Sequence, residues 1–168
     1  MKPHDLIYGL PSSGPHSNGF TLIRKLLELE PMDKATELKK SLITPTRLYS
    51  DFAQDPTILE ICSGFAHITG GGILDNLPRV FPKGLTAKMQ LNSWDVPDSL
   101  SWAIKKARLS QPQALQTFNC GIGFIAIVPP SKSDEFEIQS KKINEPIVKL
   151  GEIIQGNQLE FEGNLNID

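Results

Sequence analysis

Between Gly9 and Gly19 the sequence runs Gly-Leu-Pro-Ser-Ser-Gly-Pro-His-Ser-Asn-Gly, with hydroxyl, imidazole and amide side chains set among three glycines. A glycine-rich turn leading into a helix exposes backbone N–H groups, and the helix start adds partial positive charge. Ser12, Ser13, Ser17 and Asn18 supply further donors, a combination suited to holding a phosphate. An ordinary strand-to-helix turn capped by Ser17 or Asn18 fits the same residues. Composition alone does not choose between the two.

Three sharper motifs fail, and the failures narrow the chemistry. Gly14 to Gly19 has the glycine spacing of a P-loop, but Phe20 stands where the phosphate-binding lysine belongs. The hydrolase elbow G-x-S-x-G is missed by one residue before Ser17, and no acidic partner for His16 is evident. Gly121-Ile-Gly123-Phe-Ile-Ala126 matches G-x-G-x-x-A but runs on into Ile127-Val128-Pro129-Pro130 instead of opening a helix, so it is not a dinucleotide fingerprint.

His67-Ile-Thr-Gly-Gly-Gly72 repeats the logic of the first loop, a strand end passing through glycines into a helix. Consecutive glycines are useful where backbone must approach a ligand or another loop closely; a tight turn with His67 in the core is the plainer reading. Asp75, Asn76 and Arg79 follow on that helix, open to ligand or solvent. Thr44-Pro45-Thr46-Arg47 puts an arginine at an expected helix start, where the dipole disfavours positive charge. An anion or a buried carboxylate would justify it, so Arg47 is a candidate anion contact, and a surface arginine fits equally.

The elements that must position these residues follow from periodicity. Asp5–Leu10 reads as a strand, 11–19 as a loop, and Asn18–Glu30 as an amphipathic helix stopped by Pro31. Residues 32–44 read as a polar connection with a helical piece around Ala35–Lys40. Two helices are expected between Thr46 and Cys62, split at Asp55-Pro56. Phe65–Ile68 and Gly84–Leu91 read as strands, a helix from Ile73 is interrupted at Pro78, and Asp98 is a plausible cap for a helix to Leu109. The uninterrupted apolar run Gly121–Val128 predicts a strand buried on both faces in mid-sheet. A polar helix over Ser131–Lys142 and a closing hairpin of Ile147–Ile154 with Leu159–Glu162, turning at Gly156-Asn157, complete an α+β fold: a mixed β-sheet packed with helices in layers, one domain over 1–168.

Composition excludes several partners. Seventeen Lys and Arg against nineteen Asp and Glu give a net charge of −2, too balanced for a nucleic-acid-binding face. No segment approaches the roughly 20 apolar residues of a membrane span. With no secretory leader before Leu6, the expectation is cytoplasmic. Cys62 and Cys120 form no C-x-x-C pair, and His4, His16 and His67 share no ligand spacing, so no metal is expected.

Four blocks together resemble one family. Gly9–Phe20 with Arg24-Lys25, Pro45-Thr46-Arg47-Leu48-Tyr49, Ala66–Val80, and Phe118-Asn-Cys-Gly-Ile-Gly-Phe124 are similar, in order, to motifs of the AIR synthetase (phosphoribosylformylglycinamidine cyclo-ligase) C-terminal domain. The resemblance implies that family's fold. It also implies ATP-dependent ring closure of formylglycinamidine ribonucleotide to aminoimidazole ribonucleotide in purine biosynthesis, ATP activating the amide oxygen that an internal nitrogen then displaces.

Carried over residue by residue, Ser12, Ser13, Gly14, His16, Ser17, Asn18 and Gly19 would lie on the phosphate side of the substrate. His67, Thr69, Gly70, Gly71 and Gly72 would form the facing wall. Catalytic residues are not assigned. ATP and magnesium would sit mostly on an N-terminal domain absent from this sequence, leaving no cofactor expected on this chain alone. The implied partners are the phosphorylated ribonucleotide substrate, that N-terminal domain and, as a further option, a second copy in a homodimer. The fragment is not expected to be active by itself; the alternative is a truncated phosphate-binding or regulatory domain of the same superfamily without catalysis.

Overall fold

The computed structural model describes residues 1–167. Its centre is a six-stranded sheet built from β1 (Leu6–Pro11), β2 (Gly64–His67), β3 (Leu85–Gln90), β4 (Ile122–Val128), β5 (Val148–Gln155) and β6 (Glu160–Glu162), in the order β2-β4-β1-β5-β3-β6. Neighbours are antiparallel except β3 and β6, which run parallel. The helices are α1 (Phe20–Leu27), α2 (Met32–Leu42), α3 (Ser50–Ala53), α4 (Pro56–Ile61), α5 (Gly72–Asn76), α6 (Asp98–Ala107), α7 (Gln111–Thr117) and α8 (Ser133–Lys142). The expected α+β mixed sheet with layered helices is what forms.

Alternation along the strands explains the layers. Ile125 and Ile127 of β4 join the larger core, with Ile23 and Leu26 of α1, Ile73 of α5, Leu100 of α6 and Leu115 of α7. Phe124, Ala126 and Val128 point the other way, onto Phe52 of α3, Ile58 of α4 and Phe136 of α8. β4 is buried along its whole length because helices cover both faces of the sheet. Each fully buried aliphatic side chain of this kind contributes about 1.5–3 kcal/mol through loss of water contact.

Several expectations are corrected. Val148–Gln155 and Glu160–Glu162 do not form a hairpin. Both edges of β5 are already occupied, by β1 and β3, so β6 passes on to the free edge of β3 and pairs in parallel there. Residues 32–42 are not a connection but a full helix, whose apolar positions Ala35, Leu38 and Leu42 turn inward while Met32 at its start stays exposed. Asp98 is not the cap of α6; Pro97 is, and Asp98 lies in the first turn, where its charge suits the dipole. Arg47 does not start a helix either, because α3 begins only at Ser50. α7 is a further helix with no expected counterpart, its start fixed by a capping box between Ser110 and Gln113.

Candidate functional site

Sheet topology brings the two glycine loops together. β1 and β2 both lie antiparallel to β4, one on each side, so their C-terminal ends meet its first residues: Pro11 pairs with Ile122, and His67 with Phe124. The loops leaving β1 and β2 therefore emerge at the same end of the sheet, beside the turn Asn119–Gly121 that feeds β4.

Asn119, fully buried, ties the first loop to that turn. Its Nδ2 donates to the Gly14 carbonyl at 2.8 Å, while its Oδ1 accepts from the Gly121 N–H at 2.9 Å and from the Ser12 hydroxyl at 3.3 Å. The Ser12 N–H donates to the Gly121 carbonyl at 2.8 Å. The Ser13 hydroxyl is also engaged, donating to the Pro45 carbonyl at 2.8 Å and accepting from the Arg47 N–H at 3.0 Å. Neither Ser17 nor Asn18 caps α1. The cap is Gly19 in the left-handed region at φ 69°, and the Phe118 ring stands 2.2 Å from where a Cβ would sit. Only glycine fits there.

The triple-glycine loop is clamped by Asn76, which is buried at the end of α5. Its Nδ2 lies 2.8 Å from the Gly72 carbonyl, 3.1 Å from that of Gly70 and 3.2 Å from that of Thr69, and its Oδ1 accepts from the Thr69 hydroxyl at 3.1 Å. Gly72, at φ 58°, lies where a Cβ would come within 2.0 Å of the Leu115 carbonyl, so this glycine lets α5 press against α7. Gly70 is exposed, with open space where a side chain would go.

An aromatic and imidazole cluster joins the two loops over Gly123. A Cβ on Gly123 would meet the Tyr49 hydroxyl at 2.0 Å and His16 Cε1 at 2.6 Å. The Tyr49 ring centroid is 6.1 Å from that of His16 and 5.9 Å from that of His67, and the ring stacks on Phe124 at 5.2 Å. The Tyr49 hydroxyl donates to the Pro11 carbonyl at 2.9 Å. Arg47 Nη1 donates to the same carbonyl at 3.1 Å, and its guanidinium lies over the Tyr49 ring at 5.4 Å. The carboxylate that justifies Arg47 is internal: Nη2 is ion-paired with Glu145. Burial raises the Glu145 carboxyl despite the opposing pull of Arg47.

Electrostatics hold His16 neutral. Burial, then the neighbouring His67 and Arg47, push its pKa below the ordinary value. Its Nε2 lies 3.2 Å from the Ser13 N–H and accepts from it, which places the ring proton on Nδ1. Nδ1 is enclosed without a partner, as are both amide atoms of Asn18. Cys62 and Cys120 are free thiols pushed up to about 12 by burial, which keeps them inert.

Of the residues singled out in the sequence, His16 and His67 meet through Tyr49, Ser12 and Gly14 are locked to Asn119, Ser13 is held by Pro45 and Arg47, and Ser17 and His67 are exposed. Tyr49, Asn76, Asn119 and Gly123 also belong to the arrangement. Asn76, Asn119 and Gly123 lie inside glycine-bearing blocks, whereas Tyr49 closes the glycine-free block Pro45–Tyr49. On its other side the first loop walls a cleft of about 580 Å³, with Lys34, Glu37 and Ser41 of α2 and Ser99 of α6 opposite. Among the described residues no helix is long and apolar enough to cross a membrane, and no group of three or more His, Cys, Asp or Glu side chains is placed to hold a metal ion.

A family model described as "AIR synthase related protein, C-terminal domain" matches residues 2–164. Solved structures share the fold at low identity. Thiamine-monophosphate kinase from Stenotrophomonas maltophilia K279a superposes with a TM-score of 0.63 at 14% identity, over 97% of this chain and 51% of that one. The hydrogenase maturation protein HypE of E. coli gives 0.63 at 12% identity, over 100% and 50%. T. maritima PurL, solved with AMPPCP, gives 0.50 at 12% identity, over 98% and 24%. The chain thus spans about half the length of the first two, and less of the third.

Proposed function

We propose, on the premise that this chain belongs to the AIR synthase related family as its C-terminal domain, that it is the substrate-closing part of a phosphoribosylformylglycinamidine cyclo-ligase. The observation that carries the reading is the convergence of the two glycine loops at one end of the sheet, joined by His16, Tyr49 and His67. Likeness of fold would serve a thiamine-monophosphate kinase or HypE equally well. The four ordered sequence blocks favour the purine enzyme.

In this reading the exposed Ser17 hydroxyl and the loop N–H groups other than those of Ser12, Ser13 and Asn18, which are engaged internally, receive the ribonucleotide phosphate, and His67, Thr69 and Gly70 line the opposite wall. His16 stays neutral and donates from Nδ1, so it can hold an oxygen of the substrate without adding charge. Arg47 acts behind the loop, fixing Ser13 and Pro11 while its charge is met by Glu145. Among the described residues no carboxylate cluster is placed for magnesium, and the first loop carries no P-loop lysine, which supports leaving the nucleotide to another domain. ATP and magnesium are assigned to an N-terminal domain, and this chain's part is to bind, orient and shield the substrate.

The test is reconstitution. Mixing the chain with a separately expressed N-terminal domain of an AIR synthetase, with ATP, magnesium and formylglycinamidine ribonucleotide, should yield aminoimidazole ribonucleotide. Silence from a pair of domains that demonstrably associate would leave the non-catalytic, phosphate-binding or regulatory alternative.

A further inference from the structure

The first loop is unusual in which of its groups are already engaged. Ser12 donates to Asn119, Ser13 lies between Pro45 and Arg47, and the Asn18 N–H donates to the Pro15 carbonyl at 3.0 Å. The Asn18 side chain does nothing comparable. It is 2% exposed, and both its Nδ2 and its Oδ1 are enclosed without a hydrogen-bond partner. A buried amide in that condition costs free energy, and a fold tolerates it only where something else is gained.

The chemistry of the group says what would satisfy it. A primary amide offers two donors on nitrogen and an acceptor on oxygen. A phosphate at neutral pH is almost purely an acceptor and would leave Oδ1 unpaired, against negative charge. A carboxamide or formamide presents an N–H donor beside a carbonyl acceptor and satisfies both ends of Asn18 at once, whereas an amidine, protonated at neutral pH, offers donors only. His16, two residues earlier, has its own orphaned donor on Nδ1, a neutral group of the same kind.

We propose that Asn18 is the specificity-determining residue of the first loop, pairing with the adjacent donor and acceptor of the ligand's formamide group and not with its phosphate. The assignment rests on the cyclo-ligase reading for the identity of that ligand. Because the amide lies beneath the loop surface, the ligand reaches it only when residues 15–18 move, while Ser12, Ser13 and Gly14 stay anchored to Asn119, Pro45 and Arg47.

Two readouts on the whole chain decide the matter. Calorimetric titration compares formylglycinamidine ribonucleotide with ribose 5-phosphate, which keeps the sugar phosphate and lacks the amide and amidine. Asn18→Ala and the shape-conserving Asn18→Asp should each lose about tenfold or more in affinity for the nucleotide, the scale set by one good hydrogen-bonded pair, and less than about twofold for ribose 5-phosphate. Thermal melting of ligand-free Asn18→Ala should give an unchanged or higher midpoint, because an unpaired polar group has been removed. Equal losses for both ligands, or none, overturn the proposal. A midpoint lowered by several degrees, or failure to fold, also overturns it, since Asn18 would then have a partner inside the protein. Failure of the wild-type chain to bind the nucleotide while it binds ribose 5-phosphate, or its failure to bind either, removes the cyclo-ligase reading itself. That result is distinct, because it appears before any variant is made.

Discussion

The loops that follow β1 and β2 start from the same sequence logic, a strand running through glycines into a helix, and end in opposite states. In the loop after β2, Asn76 gathers the carbonyls of Thr69, Gly70 and Gly72, and no buried side-chain nitrogen or oxygen of the described loop is orphaned. In the loop after β1, the clamp comes from outside, from Asn119, and the loop's own Asn18 and His16 keep enclosed polar atoms without partners. The triple glycine is largely a packing device that seats α5 on α7. The unsatisfied polar capacity lies in the other loop, and it is there that the difference points for ligand recognition.

The largest effect that would sharpen this contrast is at Gly72. Gly72→Ala combines a left-handed backbone with a Cβ directed at the Leu115 carbonyl, 2.0 Å away, and should cost about 2–4 kcal/mol in a denaturant melt. A cost under about 1 kcal/mol would mean that α5 can shift freely and that the loop is not a packing device. Next comes Asn119→Ala, which strands the Gly14 carbonyl and the Gly121 N–H. It should cost about 1–3 kcal/mol. If it destabilised no more than Asn18→Ala, the two asparagines could not be doing different things.

A smaller effect concerns pH. The folded-state pKa of His16 lies below the ordinary 6.5, so the unfolded chain takes up its proton first as the pH falls. The His16 contribution to stability is therefore complete above 6.5, declines as pH drops below that value, and levels off below the folded-state pKa. Melts across that window should show the slope, and His16→Gln should flatten it. An unchanged slope would place the titration elsewhere. The smallest effect is expected two residues from the largest: Gly70→Ala meets nothing within 4 Å and should shift stability by less than about 0.5 kcal/mol.

What was legible in the sequence was set by pattern strength. The apolar run of β4 could only be a strand covered on both faces, and the split at Asp55-Pro56 followed from the constraint proline places on its predecessor. The false hairpin shows the limit: local turn residues at Gly156-Asn157 look the same whether or not the next strand finds its neighbour's edge already occupied, and that occupancy is a long-range fact. At the site, the two loops were visible because glycines and small polar residues cluster in them. Their meeting depends on β4 lying between β1 and β2, which no local pattern encodes. Asn119 and Tyr49 were in view as letters of their blocks, but their roles come from what surrounds them, as does the internal carboxylate that answers Arg47.

In the proposed function both loops form one ligand site at the end of the sheet. Adding formylglycinamidine ribonucleotide to isotopically labelled chain and following backbone amide resonances tests it directly. Residues 12–19 and 67–72 should shift together, saturating at the same ligand concentration. Shifts confined to one loop, or collected instead in the open groove of about 710 Å³ beside Tyr8 and Lys141, would contradict it.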